Sequence, residues 1–307
     1  PPLFSALPIK SASKKSDAGI LPPYKRVIFD EGHHITDAAT SHFGMRATKF
    51  GIIRVLRRLR RKSKSGESKG LISYAAALAS QLTENIRKGS IGDALKRVEK
   101  NLSPRVDDAE ENVRESFVAL ARGRAPGAEE VSIRVTEATF SREGWREIDS
   151  RFSILRIRLK ELADEIKYFT DFLLDYESDG DVAKLLVEFR GVGNKLDYYA
   201  DVVETFLSQE DDGNVRWAEG REGRGTIISG LGLSPLDFSR PRKERLSTKG
   251  GTVVMPSATM AAKQCLHFTK SGLGLEDDDR VSETILFSPF NYREQLLLAV
   301  PHDLPEP

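Results

Sequence analysis

The chain is poor in cysteine. It has 307 residues and a single cysteine, Cys265. One thiol excludes an internal disulfide framework, and it also excludes a four-cysteine zinc site or an iron–sulfur cluster made by this chain alone. This usage fits a reducing compartment or is simply uninformative, and we expect a cytoplasmic location.

Long apolar runs and an excess of charge are also missing. No run approaches the roughly 18 apolar residues needed to span a bilayer, so we expect no membrane partner. The net charge is +1, with 30% charged and 39% hydrophobic residues. Any nucleic-acid interface must therefore come from a local patch. The length suits about two domains, and the start at Pro1, without a signal peptide, suggests a segment of a longer protein.

A phosphate-binding loop is the third absence. The pattern G-x-x-x-x-G-K-[ST] occurs nowhere in the chain. Gly223 and Gly225 flank Arg224, but their spacing is wrong and no Lys-Ser or Lys-Thr follows.

The most informative stretch is an apolar run, residues 27–29, followed by two acids and two histidines. The run predicts a strand buried on both faces, which would deliver Asp30 and Glu31 to the carboxyl edge of a sheet. Ligands bind at that edge in open α/β folds. One carboxylate would suit Mg²⁺, usually through water, and the next would orient or deprotonate an attacking water. An ordinary strand end with solvated acids is the alternative.

A second buried strand is predicted at residues 252–255, followed by Ser257 and Thr259. Their hydroxyl groups are candidates to hydrogen-bond a polar neighbour such as His33. Such residues at strand ends are more often turn or cap residues, so this pattern is weak by itself.

Residues 46–64 are strongly basic and predict a helix with an apolar stripe at Ile52, Val55, Leu56 and Leu59. The cations indicate a patch that contacts phosphates. Its candidate residues are Arg54, Arg57, Arg58, Arg61 and Lys62. The alternative is a solvated helix end, whose C-terminus favours basic side chains.

The middle of the chain is predicted to be helical. Ser103 and Pro104 suggest the start of a helix that runs to about residue 121. Two later stripes, at residues 152–176 and 182–206, have apolar residues at 3-4 spacing and predict two antiparallel helices of about 25 residues. Gly191 and Gly193 interrupt the second and suggest a kink or a close helix contact.

Shorter elements are predicted around these helices. Residues 131–135 alternate as a strand or extended linker, and residues 215–217 are expected to pair with 226–228 in a hairpin. A helix is predicted around residues 261–271, and another after His34 with Thr36 or Asp37 as its cap.

Together these pieces resemble the middle of a DinG-type helicase, a relative of the XPD helicases within superfamily 2. The matching segments are Leu21-Pro22-Pro23-Tyr24, the DEAH-type box Asp30-Glu31-Gly32-His33 with residues 34–40, Val215-Arg216-Trp217, Ser234-Pro235-Leu236-Asp237, Ser257-Ala258-Thr259, Ser288-Pro289-Phe290 and Asp303-Leu304-Pro305. Their order and spacing are specific and span nearly the whole chain.

The resemblance implies an α/β plus α architecture. Residues 1–45 and 236–307 would be two parts of a RecA-like motor domain, and residues 46–235 a mainly helical Arch-type insertion that contains the antiparallel hairpin. The basic patch would belong to the Arch and contact single-stranded or forked DNA.

The resemblance also implies roles for the motif residues. Asp30 would hold the Mg²⁺ of bound ATP, and Glu31 would activate the hydrolytic water. His33 would link that site to Ser257 and Thr259, which couple hydrolysis to DNA movement. The family's P-loop and iron–sulfur cysteines lie upstream and its arginine-bearing motifs lie downstream, so we expect this chain alone to hydrolyse no ATP.

Three departures from the family pattern stand out. Gly32 replaces the usual alanine, which we interpret as added backbone freedom beside the catalytic acid. Pro256 and Met260 replace the usual threonine and leucine around Ser-Ala-Thr.

Two other classes of function stay open. One is a metal-dependent hydrolase that uses Asp30, Glu31, His33, His34 and His42, although no HExxH spacing is present. The other is a non-catalytic module that binds nucleic acid or a protein through the helical hairpin.

Overall fold

The computed structural model describes residues 26–35, 38, 44–62, 67–82, 90–122, 130–142, 144–176, 180–209, 213–223, 226–236, 252–261, 265–276 and 278–297. The chain divides into two compact units. Unit 1 comprises Pro1–Ala39 and Asp237–Pro307, and unit 2 comprises Thr40–Leu236. Within the described residues, no helix is long and apolar enough to cross a membrane.

The strands are β1 (Arg26–Ile28), β2 (Met45–Thr48), β3 (Arg61–Lys62), β4 (Ser68–Lys69), β5 (Glu130–Val135), β6 (Asn214–Gly223), β7 (Thr226–Pro235) and β8 (Thr252–Val254). The helices are α1 (Lys49–Leu59), α2 (Leu71–Leu82), α3 (Ser90–Arg122), α4 (Glu137–Phe140), α5 (Trp145–Phe172), α6 (Gly180–Leu207), α7 (His267–Leu273) and α8 (Tyr292–Gln295). A 3₁₀ turn, Leu173–Tyr176, continues α5. Mixed α and β structure was predicted and is confirmed, whereas the RecA and Arch assignments stay predictions.

In unit 1, the two predicted strands pair with each other. β1 runs parallel to β8, with Val27 opposite Val253 and Ile28 opposite Val254. The expectation that this strand is buried on both faces is wrong, because Ile28 is 70% exposed. Side chains alternate along a strand, so Ile28 and Val254 share the exposed face while Val27 lies on a half-buried one.

The helices of unit 1 differ from the predicted ones. The tail helix, α7, begins at His267 rather than near residue 261 and ends at Leu273. Gly274 caps it with a left-handed backbone (φ 69°) that suits glycine. After the DEAH-type box, His34, Ile35 and Ala38 are helical, while the predicted caps at residues 36 and 37 lie outside the described residues.

Unit 2 contains an antiparallel sheet in the order β2-β7-β6-β5. The predicted strand at residues 131–135 is confirmed as β5. The predicted hairpin exists, but its pairing was wrong, since Val215 and Trp217 pair with Ser234 and Gly232. Both strands are ten residues long, so residues 226–228 meet 221–223 instead. Gly232 gives room for the Trp217 ring, which a Cβ there would meet at 2.2 Å.

The two long helices of the predicted hairpin are confirmed as α5 and α6. They are antiparallel, because Trp145 at the start of α5 lies near Phe206 at the end of α6, and Phe169 packs on Phe189 with ring centroids 5.2 Å apart. The predicted stripes are buried at Phe152, Leu155, Leu159, Leu162, Ile166, Phe169, Leu173, Val182, Leu185, Phe189, Val192, Leu196, Val203 and Phe206. Residues 177–179, the predicted turn, lie outside the described residues.

Pro104 does not start a helix. It lies inside the 33-residue helix α3, which ends at Arg122, close to the predicted end. Proline in a helix interior costs roughly 3 kcal/mol. The buried stripe explains why the helix continues, since it runs unbroken through both sides of the proline. Its members are Val98, Leu102, Val106, Ala109, Val113 and Phe117.

The basic helix is confirmed as α1. Its predicted stripe of Ile52, Val55, Leu56 and Leu59 is buried. Thr48 caps the helix by accepting the Gly51 N–H through its hydroxyl oxygen at 3.0 Å. The outer face of α1 therefore carries its exposed cations.

Candidate functional site

The parallel pairing of β1 and β8 brings both predicted motifs to one edge of the sheet. Phe29 N–H donates to the Val254 carbonyl at 2.9 Å, and Gly32 N–H donates to the Pro256 carbonyl at 2.9 Å. These two bonds continue the ladder past the strands. The acids that follow β1 and the hydroxyl residues that follow β8 therefore emerge side by side.

Three predicted residues form one polar cluster there. His33 Nδ1 lies 2.8 Å from Ser257 Oγ, although the residues are 224 positions apart in sequence. The same Nδ1 lies 3.2 Å from Glu31 Oε2, and Ser257 Oγ lies 3.5 Å from that oxygen. Side chains of the box and of the Ser-Ala-Thr motif are thus in direct contact.

The geometry favours one arrangement of protons. Glu31 is 56% and His33 is 33% exposed at the side chain, so the cluster is open to a ligand. If Nδ1 carries the proton, it donates toward Glu31 and Ser257, and the Ser257 hydroxyl donates to Glu31. The other tautomer would turn the Nδ1 lone pair toward a carboxylate oxygen. We therefore assign the proton to Nδ1 from the hydrogen-bond network.

Asp30 and Thr259 occupy the border of the cluster. Asp30 Oδ1 accepts the Glu31 N–H at 3.0 Å, and its side chain is exposed. The Thr259 N–H donates to Ser257 Oγ at 3.2 Å, so Thr259 orients the serine through its backbone. The role predicted for its hydroxyl group stays a prediction.

Two features of the box loop were not foreseen. Glu31 has a positive φ of 50°, which is uncommon for a residue with a side chain and concentrates at functional sites. His34 stacks on His33 with ring centroids 3.9 Å apart. Both features depend on the path of the loop, for which the sequence has no local signal.

Gly32 has a different role from the one interpreted from sequence. A Cβ at this position would lie 2.9 Å from Met255 Cβ and 3.2 Å from Met260 Sδ. The glycine is therefore required for close approach of the box loop to the segment after β8. The signal was present in the sequence, because Gly32 and Met260 are both departures from the family pattern.

The donor set fits a hard cation in part. Asp30 is an exposed carboxylate at the sheet edge, and Mg²⁺ prefers such oxygen donors with several retained waters. In the part of the chain that the structure describes, no group of three or more His, Cys, Asp or Glu side chains is placed to hold a metal. His42, a candidate in the hydrolase alternative, lies outside the described residues.

The second predicted site lies in unit 2, where the basic residues line a groove of about 910 Å³. We call it the basic groove. Its lining residues are Phe50, Ile53, Arg54, Arg57, Arg58, Arg60, Arg61, Lys62, Asp107, Glu110, Glu111 and Arg114. All five predicted cations are therefore brought together, and Arg60 and Arg114 join them.

Acidic residues reach into the same groove. Arg57 Nη2 lies 3.3 Å from Glu110 Oε1, and Lys62 Nζ lies 3.5 Å from Asp107 Oδ2. Arg58 pairs with Glu188 of α6. Within the described ranges, Arg54 and Arg61 make no ion pair. Sequence reasoning missed these acids because they lie on helices that reach the basic helix only through tertiary packing.

The chain is similar in sequence to ATP-dependent DNA helicases. Over 299 residues, 96% of its length, it is 24% identical to the protein named ATP-dependent DNA helicase YoaA of Haemophilus influenzae, and it covers 37% of that protein. Over 76 residues, 25% of its length, it is 37% identical to the protein of the same name from Escherichia coli, and it covers 12% of that one.

No protein family model matches the chain. The chain spans well under half the length of the curated relatives that it matches. Their names confirm the resemblance to DinG-type helicases on which the sequence interpretation is based.

Proposed function

We propose that this chain is a segment of an ATP-dependent DNA helicase, and that it carries the DEAH-type box together with its Ser-Ala-Thr partner. The observation that supports this most directly is the 2.8 Å contact between His33 Nδ1 and Ser257 Oγ. It joins two motifs that the sequence interpretation paired, and Glu31 lies in the same cluster. The similarity to the two helicases named YoaA supports the same proposal.

The carboxylates have separate tasks in this proposal. Bound Mg²⁺-ATP would supply the phosphoryl group and the positive charge that stabilises it. Asp30, the more peripheral acid, would hold the cation. Glu31 orients the attacking water and accepts its proton, and His33 Nδ1, 3.2 Å from Glu31 Oε2, holds that carboxylate in position.

His33 and Ser257 connect the site to the second segment of unit 1. Any change at Glu31 alters the hydrogen bonds that its Oε2 makes with His33 and Ser257. Ser257 in turn accepts from the Thr259 backbone, so the change reaches the loop after β8. This is the route by which hydrolysis is coupled to movement on DNA.

The domain assignment follows the same proposal. Unit 1 is part of a RecA-like motor domain, and unit 2 is an Arch-type insertion. The chain leaves unit 1 after Ala39 and re-enters it at Asp237, close to the boundaries expected after residues 45 and 235. The basic groove of unit 2 supports single-stranded or forked DNA as the partner.

Variants of the full-length protein test the catalytic proposal. We expect Glu31→Gln to lower DNA-stimulated ATP hydrolysis by about 100-fold or more, because a general base contributes at least that much. Ser257→Ala should keep a larger share of hydrolysis but separate fewer DNA strands per ATP, because the link to the second segment is lost. ATP turnover and strand separation are measured in parallel.

Ser282→Ala is the matched control, since Ser282 is an exposed serine of the same unit. Equal behaviour of Ser257→Ala and Ser282→Ala would reject the coupling role. Full activity of Glu31→Gln would reject the catalytic site, and a non-catalytic nucleic-acid module based on the basic groove would then be the better description.

A further inference from the structure

The basic groove has two walls of different charge. One wall, from α1, β3 and Arg60 between them, contributes six cations and two apolar side chains, Phe50 and Ile53. The other, from α3, contributes Asp107, Glu110, Glu111 and Arg114. The acidic wall therefore faces the cations that were predicted to contact phosphates.

Two of these acids each bridge a pair of cations. Glu110 Oε1 lies 3.3 Å from Arg57 Nη2 on α1 and 2.6 Å from Arg114 Nη2 on its own helix. Asp107 Oδ2 pairs with Arg60 and lies 3.5 Å from Lys62 Nζ. Arginine donates charge-assisted hydrogen bonds to phosphate oxygens as it does to carboxylate oxygens, so the same cations suit a backbone phosphate.

We propose that the Asp107 and Glu110 carboxylates occupy the positions that backbone phosphates take, so that a single-stranded nucleic acid enters the basic groove by displacing both. This inference rests on the proposed nucleic-acid role of the groove and adds a regulatory element to it. The acids make binding weaker and less dependent on salt than the number of cations suggests, because they occupy cations that would otherwise contact phosphates.

The exchange is physically feasible because the internal pairs are weak. Arg57, Lys62 and Asp107 are 56%, 63% and 49% exposed at the side chain, whereas Glu110 and Arg60 are 18% and 16% exposed. Each pair therefore has at least one partner that water screens, and such pairs change an equilibrium by roughly fivefold. A strand that contacts several cations also releases several counterions, which favours it over single carboxylates.

The Asp107 carboxylate remains ionised at neutral pH and so acts as a true competitor. Burial acts to raise the pKa of Asp107, but the hydrogen bond and charge of Arg60, together with Lys62, outweigh it and hold that pKa below its usual value. Displacement of Asp107 must therefore break its ion pairs, because protonation does not remove its charge.

An aromatic residue favours a single strand as the occupant. Phe50 is 43% exposed and lies one helical turn before Arg54 on α1. A partly exposed ring beside a row of cations offers a surface on which an unpaired base stacks. Bases inside a duplex are not available for such stacking.

Neutralising one bridging acid tests the proposal directly. In the full-length protein, Glu110→Gln should bind a fluorescent single-stranded oligonucleotide roughly twofold to fivefold more tightly at low salt. The dependence of log K on log salt should steepen by roughly 0.7 to 1.4, since Arg57 and Arg114 are freed. Fluorescence anisotropy over a salt series measures both.

Glu111→Gln is the matched control. It removes the same charge from the next residue of the same wall, and Glu111 makes no ion pair within the described ranges. Equal gains for the two variants would overturn the inference, because a general charge effect would then suffice. In an Arg57→Ala background, the advantage of Glu110→Gln over Glu111→Gln should shrink.

A triple variant separates this inference from the proposed function. If Arg57→Ala, Arg58→Ala and Arg61→Ala together leave single-strand binding unchanged, the groove is not a nucleic-acid site and the proposed role of unit 2 fails as well. If the triple variant loses binding while Glu110→Gln gains none, only the competition by carboxylates is wrong.

Discussion

Gly32 lies at a close approach between the loop of the DEAH-type box and the segment after β8. The Gly32 N–H donates to the Pro256 carbonyl at 2.9 Å, and Met255 Cβ lies 2.9 Å from where a Cβ would be. Glu31 and His33 flank the glycine, so their positions depend on this approach. Alanine, the residue of the family pattern, is therefore not neutral in this chain.

We expect Gly32→Ala to destabilise the loop by about 1–3 kcal/mol, as overpacking in a close contact does. Amide hydrogen exchange measures this loss of stability. The Phe29 and Gly32 N–H groups donate hydrogen bonds to the segment around β8, so they exchange when the contact between the two segments opens locally. Adding Met255→Gly should restore part of the protection, whereas Met255→Ala retains the Cβ and should not. Unchanged exchange in Gly32→Ala would contradict this packing role.

We call the polar cluster of Glu31, His33 and Ser257 the edge cluster. The sequence indicated which side chains belong to it, but not which contacts hold them in position. Asp30, Glu31, His33 and Ser257 were candidates because of residue type, order and position after predicted strands. The positive φ of Glu31 depends on the three-dimensional path of the loop. The contact of Gly32 with Met255 depends on it as well, so a one-dimensional pattern could not show either feature.

Among the elements, α5 and α6 show how closely two helices approach where a glycine allows it. A Cβ on Gly193 would lie 3.1 Å from Ile166 Cγ2, and Ile166 is 1% exposed. Gly191, two residues earlier, has no atom within 4 Å of a Cβ position. The same residue type therefore has opposite structural meaning at two positions of one helix.

Alanine substitutions should separate these meanings. Gly191→Ala should stabilise unit 2 by about 0.5–1 kcal/mol, because alanine lowers the backbone entropy of the unfolded chain and favours helix. Gly193→Ala should be less stable than Gly191→Ala by about 1–2 kcal/mol, because its Cβ crowds a buried isoleucine. Urea unfolding followed by tryptophan fluorescence measures both, since Trp145 and Trp217 lie in unit 2. Equal stabilisation by both changes would show that Ile166 accommodates the new Cβ at position 193 without a cost in folding free energy.

The spacing of apolar residues predicted the helices that bury one continuous apolar stripe. It was less successful for strands, whose position and register depend on pairing with distant parts of the chain. The ranges of α5 and α6 follow from their 3-4 spacing. Pro104 misled the prediction, because a local signal for a helix start was outweighed by the buried stripe of α3. β2 was not foreseen, since Met45–Thr48 becomes a strand only by pairing with β7. The register of β6 with β7 likewise depends on the fit of Trp217 over Gly232.

At the scale of the whole molecule, the main feature is that unit 1 is formed by two segments that are distant in sequence. Unit 1 is built from two segments separated by all of unit 2, yet β1 and β8 pair in register. A site whose halves lie so far apart in sequence requires both segments to fold together. The edge cluster is then a direct readout of whether unit 1 has assembled.

The chain expressed by itself should not hydrolyse ATP. Phosphoryl transfer needs a phosphate cradle, a cation held by carboxylate, and a cation that stabilises the transition state. The chain has Asp30 and Glu31 but no G-x-x-x-x-G-K-[ST] sequence. We expect its ATP turnover, measured with and without single-stranded DNA, to equal that of its Glu31→Gln variant. DNA-stimulated turnover that disappears in this variant would show that other residues of the chain hold the phosphates, and the proposed dependence on a separate cradle would be wrong.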